Sequence, residues 1–459
     1  IIGKIKEKYY LDNDTRPIYV KRINKYLYVF NTKQKPRKIS LIGTDDKEYK
    51  YLLKSNEDLR QDERIIQVFN FVNSMLSLDK EEISKKLLIP VYPVIPLSNI
   101  TGLIGFLPNC ETISNLIIEQ RKENNIHPNL EMAHLTEIYP RYNSGSFISK
   151  VEAFIEVNTK TTKGYEISEV IWSKSLNCET WLTRRTNYAQ SLAVMSVVGY
   201  ILGLGDRHPN NLMMDRQNGK IIHIDYGDCF EIAKFRKRFP EKIPFRLTRM
   251  FVKALGVSEI EGAFRIISEK IMKLLRYNKD SLYTILNSLV YDPLVTFKFM
   301  LPFMTNNPKS EKDVIDMNNI KNSVNPELKA FMHSSSVIYK HSFDALAKLV
   351  AFSTEKDIKP DKQDKQDQYN LDNEKEEKMK MINEERKLLY YYEENDEIEE
   401  EDLNKAAQNV LNRIKEKLTG TDFNNKKPLD VPEQINRLIN QAISDENLSQ
   451  LYLGWSPFW

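Results

Sequence analysis

The densest chemistry in this 459-residue chain lies in Gly203-Leu-Gly-Asp-Arg-His-Pro-Asn-Asn-Leu-Met213, with Ile224-Asp-Tyr-Gly-Asp228 a short way downstream. An apolar helix delivers a glycine-flanked polar loop. That loop feeds a short hairpin whose far end carries a second carboxylate. Phosphoryl transfer from a metal-bound triphosphate needs such a set: a carboxylate for the nucleophile, and carboxylate and amide oxygens for magnesium. On this reading Asp206 is the candidate base, Asn211 and Asp225 are the candidate metal ligands, and His208 stands beside the developing charge. A polar loop capping a helix, with Asp and Asn as turn formers, would account for Asp-x-His-x-x-Asn alone. The second carboxylate at hairpin distance favours catalysis.

Lys54 ends a strand and Glu57 begins the helix after it. A strand lysine aimed at a cleft can meet phosphate oxygens as a compact cation, with a nearby acid to hold it. A solvated surface pair is the bland alternative, but Asp58-Leu-Arg-Gln-Asp-Glu-Arg64 crowds charge at one helix start. No GxGxxG or GxxxxGK[ST] occurs, so no Rossmann or P-loop signature supports nucleotide binding. The candidate phosphate-covering loop is Asn31-Thr-Lys-Gln-Lys-Pro-Arg-Lys38, by itself only a basic hairpin. The basic, aromatic stretch from Lys234 to Arg249 could receive a substrate, a phosphoinositide head group or nucleic acid, or be a solvated charge run.

The elements that must position these groups are legible as periodicity. Pro17–Val20, Leu27–Phe30, Lys38–Ile42 and Tyr49–Leu53 read as strands, and a helix capped by Asn56 should bury Ile65, Val68, Phe69, Val72, Met75 and Leu76. Strands around Leu88–Val94 and Gly102–Phe106 complete a β-rich lobe. After Pro108 the chain turns helical at Thr112–Glu123, Lys150–Val157, Thr180–Leu202 and Pro244–Leu255, with more helices up to Phe303. Two short strands, Leu212–Asp215 and Ile221–Asp225, interrupt them. Later helices are expected at Leu403–Leu418 and Pro432–Ile443, before the aromatic tail Tyr452–Trp459, which reads as a packing anchor.

Composition bounds the class. Lys+Arg 67 against Asp+Glu 64 leaves +3, which argues against a chain held to nucleic acid by bulk charge. Residues 355–402 hold 19 acidic and 9 basic side chains, so an acidic, flexible insert offsets a basic body. Cys110, Cys178 and Cys229 form neither a disulfide framework nor a zinc site, which suits a reducing compartment. Cys229 reads as a small buried apolar residue. The longest uncharged apolar run, Leu192 to Gly205, is too short for a membrane span. Residue 1 is Ile, and the expectation is the C-terminal part of a longer chain.

Gly199–Met213, His223–Asp228 and Pro240–Thr248 together resemble the phosphatidylinositol-3-kinase-related protein kinases, nearest the target-of-rapamycin branch. Leu53–Arg64, Gly102–Phe106, Arg184–Ser196 and Leu418–Phe423 add to the likeness, and Gly454–Trp459 resembles the end of a FATC segment. The resemblance implies an α+β, bilobal, protein-kinase-like (PI3/PI4-kinase-like) fold, with a small β-rich N-lobe and a larger, mainly helical C-lobe carrying FATC helices. The expected division is a linker over residues 1–16, the N-lobe over 17–107 and the C-lobe over 108–305. An acidic insert over 306–402, a helix over 403–426 and the FATC segment over 427–459 follow.

The resemblance also implies a cytoplasmic serine/threonine protein kinase of nutrient and growth signalling that uses ATP with Mg2+ or Mn2+. Asp206 becomes the catalytic aspartate, His208 the transition-state stabiliser, Asn211 and Asp225 the metal ligands, and Lys54 the phosphate contact near Glu57. Thr32 and Gln34 fall in the phosphate loop. Leu52, Tyr92, Met213 and Ile224 line the adenine slot with Asp62 close by, and Gly105, Phe106, Leu107 and Thr112 form its hinge side. Residues 125–163 match an insertion on which the family docks a small WD40 β-propeller subunit. Protein substrates, large scaffold subunits and a peripheral contact with endomembranes are further implied partners; direct nucleic-acid binding is not.

Phe106 stands where the branch usually has Trp, Tyr226 where it has Phe, and Ser456 where it has Cys, so the redox disulfide proposed for the family's tail cannot form. A phosphoinositide lipid kinase and a catalytically weak scaffold of the same fold are the competing readings. The Pro240–Thr248 run and FATC-like tail favour the protein kinase.

Overall fold

β-Branched and aromatic residues, punctuated by Asn, Pro, Gly and Asp, build the first sheet. In the computed structural model the described residues are 17–291 and 400–459, apart from 33, 56, 99, 237–238 and 424–426, with backbone alone for 400–406. The chain divides into residues 1–302 with 407–459, and residues 303–406. The acidic insert lies outside the described residues, except where the first residues of a later helix reach into it.

Strands β1 (Val20–Ile23), β2 (Tyr28–Val29), β3 (Arg37–Gly43) and β4 (Glu48–Ser55) precede helices α1 (Arg60–Leu78) and α2 (Glu82–Lys86), then β5 (Val94–Ser98) and β6 (Thr101–Gly105). They form an antiparallel sheet in the order β1-β3-β4-β6-β5, with β2 also on β3. Register sets Lys54 opposite Gly102 and Leu52 opposite Ile104. Leu41, Tyr51 and Leu103 make one small buried cluster. The expected apolar face of α1, from Ile65 to Leu76, joins the main core.

Three expectations in this lobe shift, the first being the opening strand, which runs Val20–Ile23 rather than Pro17–Val20. Helix α1 starts at Arg60 rather than near 56, because the Asp58 carboxylate accepts from the Arg60 N–H (3.1 Å) and grips its guanidinium, while Glu57 turns to Lys54. Leu88–Tyr92 is no strand. Its Ile89 N–H and carbonyl are both taken by the Asn73 side chain, and Pro90 and Pro93 have no N–H for a ladder.

The second part runs β7 (Cys110–Thr112), α3 (Ile113–Glu123), α4 (Leu130–Ile138), α5 (Phe147–Lys160), α6 (Glu166–Ser173), α7 (Cys178–Leu202), β8 (Leu212–Asp215), β9 (Ile221–His223), α8 (Arg249–Ala254), α9 (Ala263–Tyr277) and α10 (Lys279–Val290). Helices α11 (Glu400–Thr419), α12 (Val431–Ile443) and α13 (Asp445–Leu448) follow. The sequence did not anticipate β7, α4 or α6. Strand β7 is too short to show a period and α4 has little apolar face, whereas α6 does carry the spacing Ile167, Val170 and Ile171 and was missed for its shortness. Pro244–Thr248 is not helical; its side chains instead hold the tail, as described below.

Helix α7 is the central rod. Asn177 caps it through the Thr180 N–H (2.8 Å), and every residue from Ser191 to Leu202 is buried, which is why the run looks membrane-like. It stops at Gly203, whose φ of +61° favours glycine and where a Cβ would lie 2.4 Å from the Glu231 nitrogen. No helix among the described residues is long and apolar enough to cross a membrane.

Helix α11 is bolted to this rod by a buried cation. Lys417 donates to the Tyr200 carbonyl (2.7 Å) and pairs with Glu231 (2.9 Å), which also meets Arg413. Burial pushes the Glu231 carboxyl up, but Lys417, Lys234 and Arg413 outweigh it and hold it down at about 2. The sequence places Ala406, Val410, Leu411, Ile414 and Leu418 on the apolar face of this helix; Leu411, Ile414 and Leu418 are buried together with Ala407, Val410 is half-buried, and the side chain of Ala406 lies outside the described residues.

Candidate active site

The loop after α7 is held by hydrogen bonds to its own backbone. Asn211 donates its side-chain amide to the Asp206 carbonyl (2.9 Å) and its backbone N–H to the His208 carbonyl (2.9 Å). Asp206 sits in the left-handed region at φ +55°, and Asp225 at +59°. Such conformations cost about 1–3 kcal/mol outside glycine and persist only where neighbours over-determine them. Here the neighbour is Arg207. Its buried guanidinium donates to the carbonyls of Gly205 (2.7 Å), Ile224 (2.8 Å) and Asp225, fastening the two loops to each other. The Ile224 N–H completes the join by donating to the Asn211 carbonyl (3.1 Å).

Asp225 leaves β9 and is exposed, between buried His223 and buried Tyr226. The Tyr226 hydroxyl donates to the His223 carbonyl (2.6 Å) and its ring meets Phe69 edge-on, so the hydroxyl that a Phe would lack is satisfied within the core. Gln61 of α1 reaches across to the same turn, donating to the Tyr226 (2.8 Å) and Gly227 (3.2 Å) carbonyls. Neither Gln61 nor Arg207 was singled out from the sequence. Both act on carbonyl groups, which leave no mark in a residue pattern.

His208 lies with Nε2 4.0 Å from an Asp206 carboxylate oxygen, and its Nδ1 accepts from the Asn210 N–H (3.1 Å). Burial pulls the imidazole below its ordinary range, assisted by Arg207 and Arg246 and opposed by Asp206 and Asp225. The neutral ring therefore carries its proton on Nε2, ready to donate. In the sheet lobe, Lys54 Nζ pairs with Glu57 at 3.0 Å, with both side chains about a fifth exposed.

The nucleotide-slot candidates divide. Tyr92 is buried; Leu52, Gly105, Phe106, Leu107, Met213 and Ile224 are half-buried on the facing strands and their connection. Lys38 lies 3.9 Å over the Phe106 ring. Thr32 and Gln34 are exposed on the β2–β3 hairpin. Thr112 pairs with Met213 across β7 and β8, but its hydroxyl caps α3 at the Asn115 N–H (3.2 Å).

Asp62 is buried and accepts from the Tyr226 N–H (3.1 Å). Burial pushes its carboxyl up to about 6, with Asp225 and Glu57 adding to the rise. A raised folded value over an unfolded one near 3.9 stabilises below pH 4, and that contribution is lost as pH rises through 6. Asp62→Asn should therefore stabilise the nucleotide-free protein at pH 7.5 by up to about 3 kcal/mol and by little at pH 4. Urea unfolding at the two pH values checks this; equal effects at both would contradict it.

The basic stretch is exposed at Lys234, Arg236 and Lys242, but its end turns inward. Arg246 is buried and donates to the carbonyls of Arg207 (3.2 Å), Trp455 (2.9 Å), Ser456 (2.6 Å) and Trp459 (3.0 Å). Arg249 holds the Phe458 carbonyl (2.8 Å), and Phe458 stacks on Phe154. Tyr452 is exposed, but from Trp455 onward the tail is thus a buried anchor beside the Asp206 loop. Next to it a cavity of about 950 Å³ is lined by Tyr139, Tyr142, Lys150, Phe239, Pro240 and Leu453, among others.

A family model described as phosphatidylinositol 3- and 4-kinase matches residues 48–299, more than half of the chain. The chain belongs to that family. A FATC domain model matches residues 428–459. The chain is 41% identical over 432 residues to serine/threonine-protein kinase tor1 of Schizosaccharomyces pombe, covering 94% of this chain and 16% of that protein. It is also 41% identical over 441 residues to serine/threonine-protein kinase TOR2 of Saccharomyces cerevisiae (95% and 15%), and 40% over 468 residues to serine/threonine-protein kinase TOR of Arabidopsis thaliana (97% and 17%). The chain spans about a sixth of the length of these relatives. The solved "FAT and kinase domain of CtTel1" matches with a TM-score of 0.66 at 24% identity, over 97% of this chain and 24% of that one, which supports the fold.

A kinase domain of the phosphatidylinositol 3- and 4-kinase family uses ATP with a divalent metal, and the donors here fit both. The Asn211 amide nitrogen is spent on Asp206, which leaves its oxygen as the free donor atom, and Asp225 adds an exposed carboxylate. Among the described residues no cluster of three or more His, Cys, Asp or Glu could hold a metal by itself. Two hard oxygen ligands completed by phosphate oxygens is the pattern of a metal that arrives with its nucleotide.

Proposed function

We propose that the protein is a serine/threonine protein kinase of the TOR type, transferring the ATP γ-phosphate to protein hydroxyls with Mg2+. The observation that carries this reading is the Arg207 fork, which locks the Asp206 loop and the Asp225 turn into one constellation. Asp206 orients the acceptor hydroxyl and takes its proton. His208 donates from Nε2 to charge developing on the transferring group. Lys54, braced by Glu57, binds phosphate oxygens. Leu52, Tyr92, Gly105, Phe106, Leu107, Met213 and Ile224 hold the adenine. Asn211 and Asp225 hold the Mg2+, which when bound neutralises charge on the phosphate oxygens. Positioning and charge stabilisation supply most of the rate.

The cavity beside Pro240 offers room for residues flanking the acceptor. On α5, the exposed Phe147, Ile148 and Ile155 give an apolar face for a WD40 subunit, and a cytoplasmic setting fits three cysteines with no disulfide. Incubation with γ-labelled ATP, Mg2+ and a serine/threonine peptide tests the reading. Label on the peptide hydroxyl is expected; nucleotide binding without transfer would favour the scaffold.

A further inference from the structure

A third loop reaches the catalytic aspartate. Beyond Asp228 the chain passes through a short 3-10 turn at Ile232–Phe235 and returns at Glu241, whose N–H donates to the Ala233 carbonyl (3.1 Å). Both carboxylate oxygens of Glu241 then accept from the backbone N–H of Asp206, at 3.0 and 3.1 Å. The side chain is 9% exposed. Arg236 lies 3.4 Å from Glu241 and also grips Asp228, whose carbonyl accepts from the Gly205 N–H (2.9 Å). Close approach here needs Gly205: a Cβ on it would lie 2.3 Å from the Ala233 Cβ.

We propose that Glu241 is a positioning residue for phosphoryl transfer, its carboxylate fixing the Asp206 peptide so that the loop beyond the metal site sets the aim of the base. The inference rests on the reading of Asp206 given above. Asp206 is held at φ +55°, a conformation that needs outside support, and the Asn211 amide supports only its carbonyl side. Glu241 supplies the nitrogen side through a charge-assisted bond in a site shielded from water, where such bonds are strongest. Without it the Gly205–Asp206 peptide keeps only the Arg207 bond to its carbonyl and its N–H loses its partner, and an error of a fraction of an ångström in a reacting group lowers the rate rather than substrate affinity.

The charged groups facing the carboxylate are Arg236 on its own loop, Asp206 and Asp228 on the loops it touches, and Arg246. Burial pushes the Glu241 carboxyl up to about 7, with Asp206 and Asp228 adding to the rise and the Asp206 N–H and Arg236 opposing it. Ionised Glu241 is the form that grips Asp206, so wild-type kcat should fall as pH drops through about 7.

The test uses the full chain with its bound subunits, γ-labelled ATP, Mg2+ and a serine/threonine peptide. Glu241→Gln keeps the shape and one acceptor oxygen and should lower kcat about tenfold; Glu241→Ala should lower it about a hundredfold. KM for ATP should be unchanged in both, and the acid limb near pH 7 should be lost in Glu241→Gln. Thermal unfolding identifies a variant that fails to fold, and Glu241→Gln then decides. Unchanged kcat in Glu241→Gln, or a fall in kcat matched by loss of ATP affinity, would overturn the proposal. Asp206→Asn is run alongside: if that variant keeps full turnover, the reading of Asp206 is wrong; if only Glu241→Gln is silent, the inference alone fails.

Discussion

Asp206→Asn should lower turnover on a peptide substrate by roughly 10²–10⁴, the range for a positioned acid–base group. The amide keeps the size of the side chain and leaves the backbone bonds from Asn211 and Glu241 in place, so the loop should hold its form. The acceptor hydroxyl loses the oxygen that orients it and takes its proton. The nucleotide contacts proposed above come from other groups, Lys54 on β4 and the adenine-slot residues, so KM for ATP should not change. Steady-state kinetics on the purified chain, with ATP and peptide varied independently, separates the two constants. Unchanged turnover would remove Asp206 from its role, and an equal loss in ATP affinity would mean that the substitution collapsed the site.

Arg246→Ala should destabilise the protein by about 3–5 kcal/mol, the cost of breaking a buried charged network by removing one partner. Four carbonyls share its two terminal nitrogens, and three of them belong to the last five residues. The guanidinium also lies 4.0 Å from the Trp455 ring. Burial pulls Arg246 down to about 9, so it remains charged at neutral pH. Arg246→Lys should recover little, because one compact ammonium cannot serve carbonyls spread along a planar fork. Urea unfolding measures both variants. A loss below about 0.5 kcal/mol in Arg246→Ala, the range of an ordinary surface substitution, would contradict the account of the tail.

What the sequence revealed was local. Asp206, His208, Asn211 and Asp225 lie within 20 residues of one another, and the strand that separates them, β8, was placed at its true limits, because a short hairpin keeps sequence and space together. The family and the α+β fold followed from the same runs. Gln61, Glu241 and Arg246 were invisible as partners: they meet Tyr226, Asp206 and Trp455 across 165, 35 and 209 residues, through carbonyl and N–H groups that every residue carries. The stretch from Lys234 to Arg249 was legible only in part: Lys234, Arg236 and Lys242 are exposed as a charge run would be. Its composition suggests a solvated or ligand-binding surface, yet Arg246 is buried among the tail's carbonyls. The start of α1 was missed because Asp58 turns the chain into the helix at Arg60.

The central claim is that the Asp206 and Asp225 loops together phosphorylate protein hydroxyls. Its most direct test offers the purified chain γ-labelled ATP, Mg2+, a serine/threonine peptide and phosphoinositide vesicles in one reaction, with Asp206→Asn as the blank. Label on peptide serine or threonine, absent from the lipid and from the blank, is the expected result. Label in the lipid with none on the peptide would contradict it.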